Sequence, residues 1–171
     1  MRKAILASIL ILLALAFGQL MVVVPAHSQG DLKINADWKI VAYAKAYYFF
    51  IDMSLIKATN KGTLVAFQLR HARSDTEEGR QAKKEDYETF SKAIGAQKAK
   101  RVSHDVSLIE VDCEGHKYRE LQVWLEDAKG EHVFDIPSKQ VKQKWITPTR
   151  ESIGDKIIGA VCDAAKSNLP N

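Results

Sequence analysis

The stretch VSLIEVDC, residues 106–113, decides what kind of fold this chain can form. Ile109 and Val111 alternate with the acidic residues Glu110 and Asp112. This period of two predicts a β-strand with one apolar face and one polar face. Cys113 continues the apolar face, so the strand is expected to end with a cysteine directed toward the core.

The same alternation recurs on both sides of that strand. Residues 38–52 are dense in Tyr, Phe, Ile and Val and predict one or two strands, while residues 63–70, 117–125 and 132–136 each predict one more. Short turn segments at residues 60–62, 114–116 and 129–130 favour antiparallel hairpins or a meander. Within residues 117–125, strict alternation would place Trp124 on the same face as Tyr118, Glu120 and Gln122.

The C-terminal part of the chain changes from strand to helix periodicity. Ser152 can cap the first turn of a helix, and Asp155 suits the positive helix N-terminus. The helix is expected to end near Ser167. Its apolar residues fall on one face: Ile153, Ile157, Ile158, Val161, Cys162 and Ala165. A helix laid on an antiparallel sheet gives an α+β fold.

The first residues have the layout of an export signal. Arg2 and Lys3 precede an apolar run over residues 5–17, and small residues follow up to Ser28. We expect residues 1–28 to be a signal peptide cleaved after Ser28, with cleavage after Gly18 or an uncleaved anchor as the alternatives. No cysteine lies near the leader, so a lipoprotein is not expected. The remaining residues, 29–171, are expected to form one exported domain, either periplasmic or secreted to the cell surface.

Export of the protein predicts a structural role for the two cysteines. In an oxidising compartment an even pair is expected to be bridged. A Cys113–Cys162 disulfide would close a loop of about 50 residues and tie the helix to the sheet. The net charge of +4 falls to +2 without Arg2 and Lys3, and such a mildly basic chain does not favour a nucleic-acid partner.

Residues 71–101 form a charged segment with a short predicted helix over residues 83–94. Two interpretations stay open for its cations: a solvated charged face, or a docking patch for an acidic or polyanionic partner. Trp124 is either an exposed interaction anchor or a residue covered by the inserted helix. The candidate partner-binding surface consists of Lys83, Lys84, Lys98, Lys100, Arg101 and Trp124.

Motifs for catalysis are missing from the sequence. It has no nucleophile elbow, phosphate loop, dinucleotide fingerprint or zinc-binding His-Glu-x-x-His helix. A scattered set of acids and histidines leaves a metal site as a minor alternative to solvated side chains and local ion pairs with Lys117 or Arg119: His104, Asp105, Glu110, Asp112, His116, His132 and Asp135. We therefore expect no enzymatic activity, no metal and no cofactor.

Several of these motifs together resemble the bacterial surface-adhesin protein E family. The resemblance rests on Trp38, residues 50–52, Ser54, Ile56, Lys57, residues 110–113, Tyr118, Arg119, Trp145, Pro148, residues 152–155 and Cys162. It implies an antiparallel sheet with a C-terminal helix disulfide-linked to its concave face, in an exported protein. The best-known family member is a surface lipoprotein that binds host matrix proteins such as vitronectin and laminin.

This chain departs from the family pattern in three places. It lacks a lipobox cysteine, residues 71–101 are longer than the usual connection, and the glycine-rich turn is reduced to Gly130. The resemblance implies a non-enzymatic binding module for an extracellular-matrix or cell-surface protein. The alternatives are a soluble periplasmic envelope or housekeeping protein and, less favoured, an envelope metalloenzyme. The membrane would be contacted only through an uncleaved leader, and the oligomeric state stays open, a dimer included.

Overall fold

The computed structural model describes residues 37–141 and 143–167. These residues form one antiparallel sheet with helices, which confirms the predicted α+β class. The strands are β1 Trp38–Tyr43, β2 Tyr47–Asp52, β3 Lys57–Ala58, β4 Leu64–Ala72, β5 His104–Asp112, β6 Lys117–Glu126 and β7 His132–Ile136. The helices are α1 Glu77–Ile94, α2 Ala96–Ala99 and α3 Ile153–Ser167, with single 3-10 turns at Met53–Leu55 and Ser138–Gln140. The predicted signal peptide lies outside the described residues.

The sheet is a meander with one excursion. Its strand order is β1-β2-β4-β5-β6-β7, and the two-residue strand β3 pairs with the start of β4. Neighbouring strands along this path are antiparallel, and the short connections β1–β2, β5–β6 and β6–β7 predict this pairing. The excursion lies between β4 and β5, where α1 and α2 form. The segment 38–52 therefore contains two strands.

Helix α3 begins where the sequence predicts. The hydroxyl of Ser152 accepts a hydrogen bond from the Asp155 N–H at 3.3 Å, so Ser152 caps the first turn. The Asp155 carboxylate accepts from the Glu151 N–H at 2.8 Å and lies 2.7 Å from Nε2 of His116. These backbone and histidine contacts lower the pKa of Asp155. The β5–β6 turn, which carries His116, is thereby joined to the helix N-terminus.

The apolar stripe of α3 lies on the sheet and forms the main core. Cys162 is joined to Cys113 by a disulfide with Cα atoms 5.9 Å apart, which confirms the predicted bridge. Each fully buried aliphatic side chain contributes about 1.5–3 kcal/mol by leaving water. The buried residues of this cluster are Ile51, Ala66, Ile109 and Val111 from the sheet, with Ile157, Ile158, Val161 and Cys162 from the helix.

Strand β6 contains a bulge that overturns the strict alternation predicted for residues 117–125. The consecutive residues Leu108 and Ile109 on β5 pair with Gln122 and Glu120, so Leu121 is an extra residue. An inserted residue reverses the side on which the following side chains lie. Glu120 consequently shares the α3 side of the sheet with its partner Ile109. Gln122 pairs with Leu108 and lies on the opposite side, and the residues after it alternate from there. Trp124 is therefore on the other face from Tyr118 and Glu120.

Two glycines of α3 provide a matched test of how tightly the helix packs. A Cβ added at Gly154 would lie 3.0 Å from Pro148 and 3.0 Å from the Tyr118 ring, while one at Gly159 would meet nothing within 4 Å. We expect Gly154→Ala to lower the free energy of unfolding by roughly 1–3 kcal/mol through overpacking. Gly159→Ala should raise it by about 0.5–1 kcal/mol because alanine favours the helix. Urea denaturation of both variants measures the difference, and an equal gain in stability for both would contradict this packing.

Candidate binding groove

Helix α1 is longer than the helical patch predicted over residues 83–94. It begins at Glu77 because the Thr76 side chain accepts a hydrogen bond from the Gly79 N–H at 3.1 Å, and Glu77 and Glu78 lie in the first turn. It ends at Gly95, whose φ of 83° is accessible to glycine at little cost. The helix therefore extends the predicted patch by almost two turns toward β4.

The N-terminal part of α1 lies directly against the chain that leaves β4. A Cβ at Gly79 would be 2.0 Å from the Arg73 carbonyl oxygen, so only glycine permits this approach. Two turns later, Asp86 accepts a hydrogen bond from the Tyr47 hydroxyl at 3.1 Å and lies 3.7 Å from the Arg70 guanidinium. Close backbone contact and these polar contacts hold α1 at one end of the sheet.

Between α1, the end of β4 and the start of β5 lies a half-open groove of about 400 Å³. This volume is within the range of ligand sites, about 300–1,000 Å³. Its cationic lining residues are Arg70, Arg80, Lys83, Lys84 and Lys100. Its apolar and aromatic lining residues are Ala72, Tyr87, Phe90, Ala99 and Val102. Asp86, Ser103, His104 and Asp105 complete it.

The acidic residues of the groove are both engaged by one cation. Arg70 donates from Nε to Asp105 at 2.8 Å and lies 3.7 Å from Asp86. The other cations find no carboxylate: within residues 37–141 and 143–167, no ion pair involves Arg80, Lys83, Lys84 or Lys100, and Arg80 donates only to the Ser74 carbonyl at 3.2 Å. The groove therefore has a surplus of positive charge.

Arg70 and Asp105 form an ion pair in the lining of the groove. Burial raises the pKa of Asp105, and the charge and hydrogen bond of Arg70 oppose that rise. The Arg70 guanidinium also stacks over the Tyr47 ring at 4.5 Å from its centroid. Arg70 thus stabilises a carboxylate that would otherwise be buried without a partner.

Two histidines lie beside this end of the sheet. His71 and His104 are cross-strand partners with ring centroids 6.3 Å apart. Nδ1 of His71 is 3.2 Å from the Ser103 carbonyl, but burial still lowers the pKa of His71. Nε2 of His104 lies 3.1 Å from the Glu126 carboxylate. One nitrogen of each ring therefore has a separate partner.

The structure divides the predicted partner surface. Lys83, Lys84 and Lys100 line the groove, and Lys98 is exposed but outside it. Arg101 is 54% exposed and lies 3.4 Å from Asp127 and 3.7 Å from Glu131. Of the five predicted cations, three therefore come together in the groove, Lys98 lies outside it, and Arg101 is paired with carboxylates.

The prediction of Trp124 as an exposed anchor is wrong. The residue is only 7% exposed. The bulge in β6 places it on the side of the sheet opposite α3. There it meets the Phe67 ring edge-on at 5.8 Å, and its indole N–H donates to Glu126. Trp124 is a core residue, covered by neighbouring side chains of the sheet.

Arg70 and Arg80 belong to the groove but were not among the predicted surface residues. A signal for Arg80 was present, because Arg80, Lys83, Lys84 and Tyr87 follow the i, i+3, i+4, i+7 spacing of one helix face. No local pattern marks Arg70, which sits at the end of an ordinary strand. Its role depends on cross-strand pairing with Asp105.

The scattered acids and histidines do not come together. The part of the chain that the structure describes holds no group of three or more His, Cys, Asp or Glu side chains able to bind a metal ion. Most form separate pairs instead: His104 with Glu126, His116 with Asp155, His132 with Asp135, Glu110 with Arg119, and Asp112 with Lys117. The ion pairs expected for Glu110 and Asp112 are confirmed, although Glu110 is only 5% exposed.

The fold and the groove define a class of protein: a disulfide-tied α+β module with a groove lined by cations. The model of the surface-adhesin protein E family matches residues 38–163, and the chain belongs to this family. Family membership indicates an adhesin-like surface or exported protein and supports a binding role without catalysis. Searches of curated proteins and of solved structures gave no match. Among the described residues, no helix has the length and apolar character needed to cross a membrane.

Replacing Arg70 tests the contribution of its ion pair with Asp105 to stability. At pH 7, Arg70→Met should lower the free energy of unfolding by about 1–3 kcal/mol, since it leaves the largely shielded Asp105 carboxylate without its charged partner. The matched variant Arg101→Met removes an exposed cation and should cost less than about 1 kcal/mol.

The two variants should also differ in their pH dependence. Without Arg70, the pKa of Asp105 rises further, so the penalty is fully present above that pKa and is relieved as pH falls through it, when the carboxyl becomes neutral. Denaturation between pH 4 and pH 8 measures this trend. A loss that is independent of pH, or equal in the two variants, would contradict the assigned role of Arg70.

Proposed function

We propose that this protein is an exported, non-enzymatic binding module that is exposed at the cell surface and attaches to a host matrix or cell-surface protein. The family match over residues 38–163 is the observation that carries the proposal. It covers the sheet and most of α3, which together form the disulfide-tied scaffold. The leader, with its cationic start and apolar run, supports export.

The basic groove supports a location for the contact surface. Apart from Arg70 on β4, its cations lie on α1 or directly after α2. These helices belong to the segment predicted to be longer than the family's usual connection. Lys83, Lys84 and Lys100 are exposed and unpaired among the described residues, so their charges are available to a partner. Charges arranged in this way steer a complementary surface into contact and set specificity. In this proposal the sheet and α3 supply rigidity while α1 and α2 supply recognition.

Surface exposure and attachment can be measured together. Intact cells producing the protein are treated with protease, and the purified oxidised protein is applied to immobilised vitronectin, laminin and host-cell membrane preparations. We expect cleavage of the protein on intact cells, with a periplasmic marker left intact, and saturable attachment to at least one preparation at micromolar concentration.

Two results would contradict the proposal. Release of the full protein by osmotic shock, with no protease cleavage on intact cells, would identify a soluble periplasmic protein. Lack of attachment to every preparation at micromolar concentration would remove the adhesive function while leaving the fold unaffected. The first result concerns the compartment and the second concerns the ligand, so they can be told apart.

A further inference from the structure

The groove gathers cations around apolar side chains. Arg80, Lys83 and Lys84 lie on one face of α1, at positions i, i+3 and i+4, and Lys100 directly follows α2. None of the four is in an ion pair within the described residues. Solvated lysines gain most by pointing away from one another, so their convergence on one concave space favours an anionic ligand.

The surface between the cations favours a ligand that is also partly apolar. Tyr87 and Phe90 lie one turn apart on α1 and line the groove together with Ala99 and Val102. Each of these side chains is at least partly shielded from solvent. Ligand sites commonly combine an apolar lining with a few polar or charged groups that fix orientation. A ligand that fits this groove would carry negative charges separated by apolar groups.

A uniformly charged polyanion fits the groove less well. Between its cations the groove is lined by Tyr87, Phe90, Ala99 and Val102. A uniformly charged chain would place charged groups against this apolar lining, where they lose hydration without gaining a partner. In an extended peptide whose acidic residues alternate with apolar ones, the carboxylates lie along one side and the apolar side chains along the other, so the carboxylates can face the cations while the apolar side chains contact the apolar lining.

We propose that the groove between α1, β4 and β5 binds an acidic peptide segment of a partner protein. Carboxylates of the segment pair with Arg80, Lys83, Lys84 and Lys100, and its apolar side chains contact Tyr87 and Phe90. This inference rests on the proposed binding function and assigns a chemistry to the ligand. Lysines act here as mobile point charges that accept single carboxylates without demanding one fixed geometry.

The test uses fluorescence anisotropy of a labelled peptide in which glutamate alternates with leucine. The purified oxidised protein should bind it saturably, and the affinity should fall as the salt concentration rises. A peptide with glutamine in place of glutamate should bind at least about tenfold more weakly, because it lacks the charges that pair with the groove.

Two variants with the same change in net charge locate the site. The double variant Lys83→Glu with Lys84→Glu reverses two groove cations and should weaken binding by at least about tenfold. The control, Lys92→Glu with Lys98→Glu, reverses two exposed cations outside the groove and should stay within about twofold of the unmodified protein. All four lysines are exposed and none is in an ion pair among the described residues, so both variants should stay folded. The control should lose at most a few degrees of melting temperature, because Lys92 and Lys98 lie in the last turns of their helices.

Four outcomes would overturn the proposal. These are lack of saturable peptide binding, equal binding of the glutamine peptide, equal loss in the two double variants, and binding of heparin without binding of the peptide. The last result would replace the peptide with a saccharide polyanion. Because the assay uses purified protein and a synthetic peptide, its failure is separate from failure of surface exposure or matrix attachment.

Discussion

The burial of the apolar face of α3 on the sheet is the interaction on which the rest of the structure depends. Without the helix, Ile51, Ala66, Ile109 and Val111 would present a continuous apolar surface to water. The Cys113–Cys162 disulfide fixes the helix to the end of β5, and closure of a loop of about 50 residues is worth roughly 4 kcal/mol. This is a large share of the 5–15 kcal/mol by which a typical domain is stable.

The two ends of the same strands serve different purposes. Near one end, Ala66 on β4 and Ile109 on β5 pack under α3, and the disulfide allows little movement there. Near the other end, Arg70 and its cross-strand partner Asp105 lie beneath the groove formed with α1. The polar contacts and the close approach at Gly79 hold α1 in place without enclosing it in a hydrophobic core.

Regular periodicity made most of the fold predictable from sequence. The ends of the longer strands to within two residues, the α3 helix with its Ser152 cap, and the disulfide follow from alternation, helical spacing and the expected compartment of the two cysteines. The two-residue strand β3 was not predicted. The bulge at Leu121 was not predictable, because alternation is the very signal that an inserted residue interrupts. Trp124 was misplaced for this reason. The start of α1 was missed because its first residues are mostly polar, although Thr76 followed by Glu77 and Glu78 is a helix-start signal.

The groove was only partly predictable because it is assembled from distant segments. The charge of Lys83, Lys84 and Lys100 is evident in the sequence, but their convergence depends on how α1 and α2 pack on the sheet. The contribution of Arg70 depends on its pairing with Asp105, which lies 35 residues away. The scattered histidines do not converge on one site, since His104, His116 and His132 each pair with a different carboxylate. Spacing along the chain could not show that the lysines converge in the folded protein and the histidines do not.

Amide chemical shifts of the isotopically labelled, oxidised protein, followed during titration with the glutamate–leucine peptide, test most directly whether a rigid scaffold presents a separate recognition groove. The account predicts shifts confined to α1, α2 and the adjoining ends of β4 and β5, with α3 and the residues around the disulfide unchanged. Shifts centred on α3 or on the outer strand β1 would contradict it, and so would small shifts spread over the whole surface.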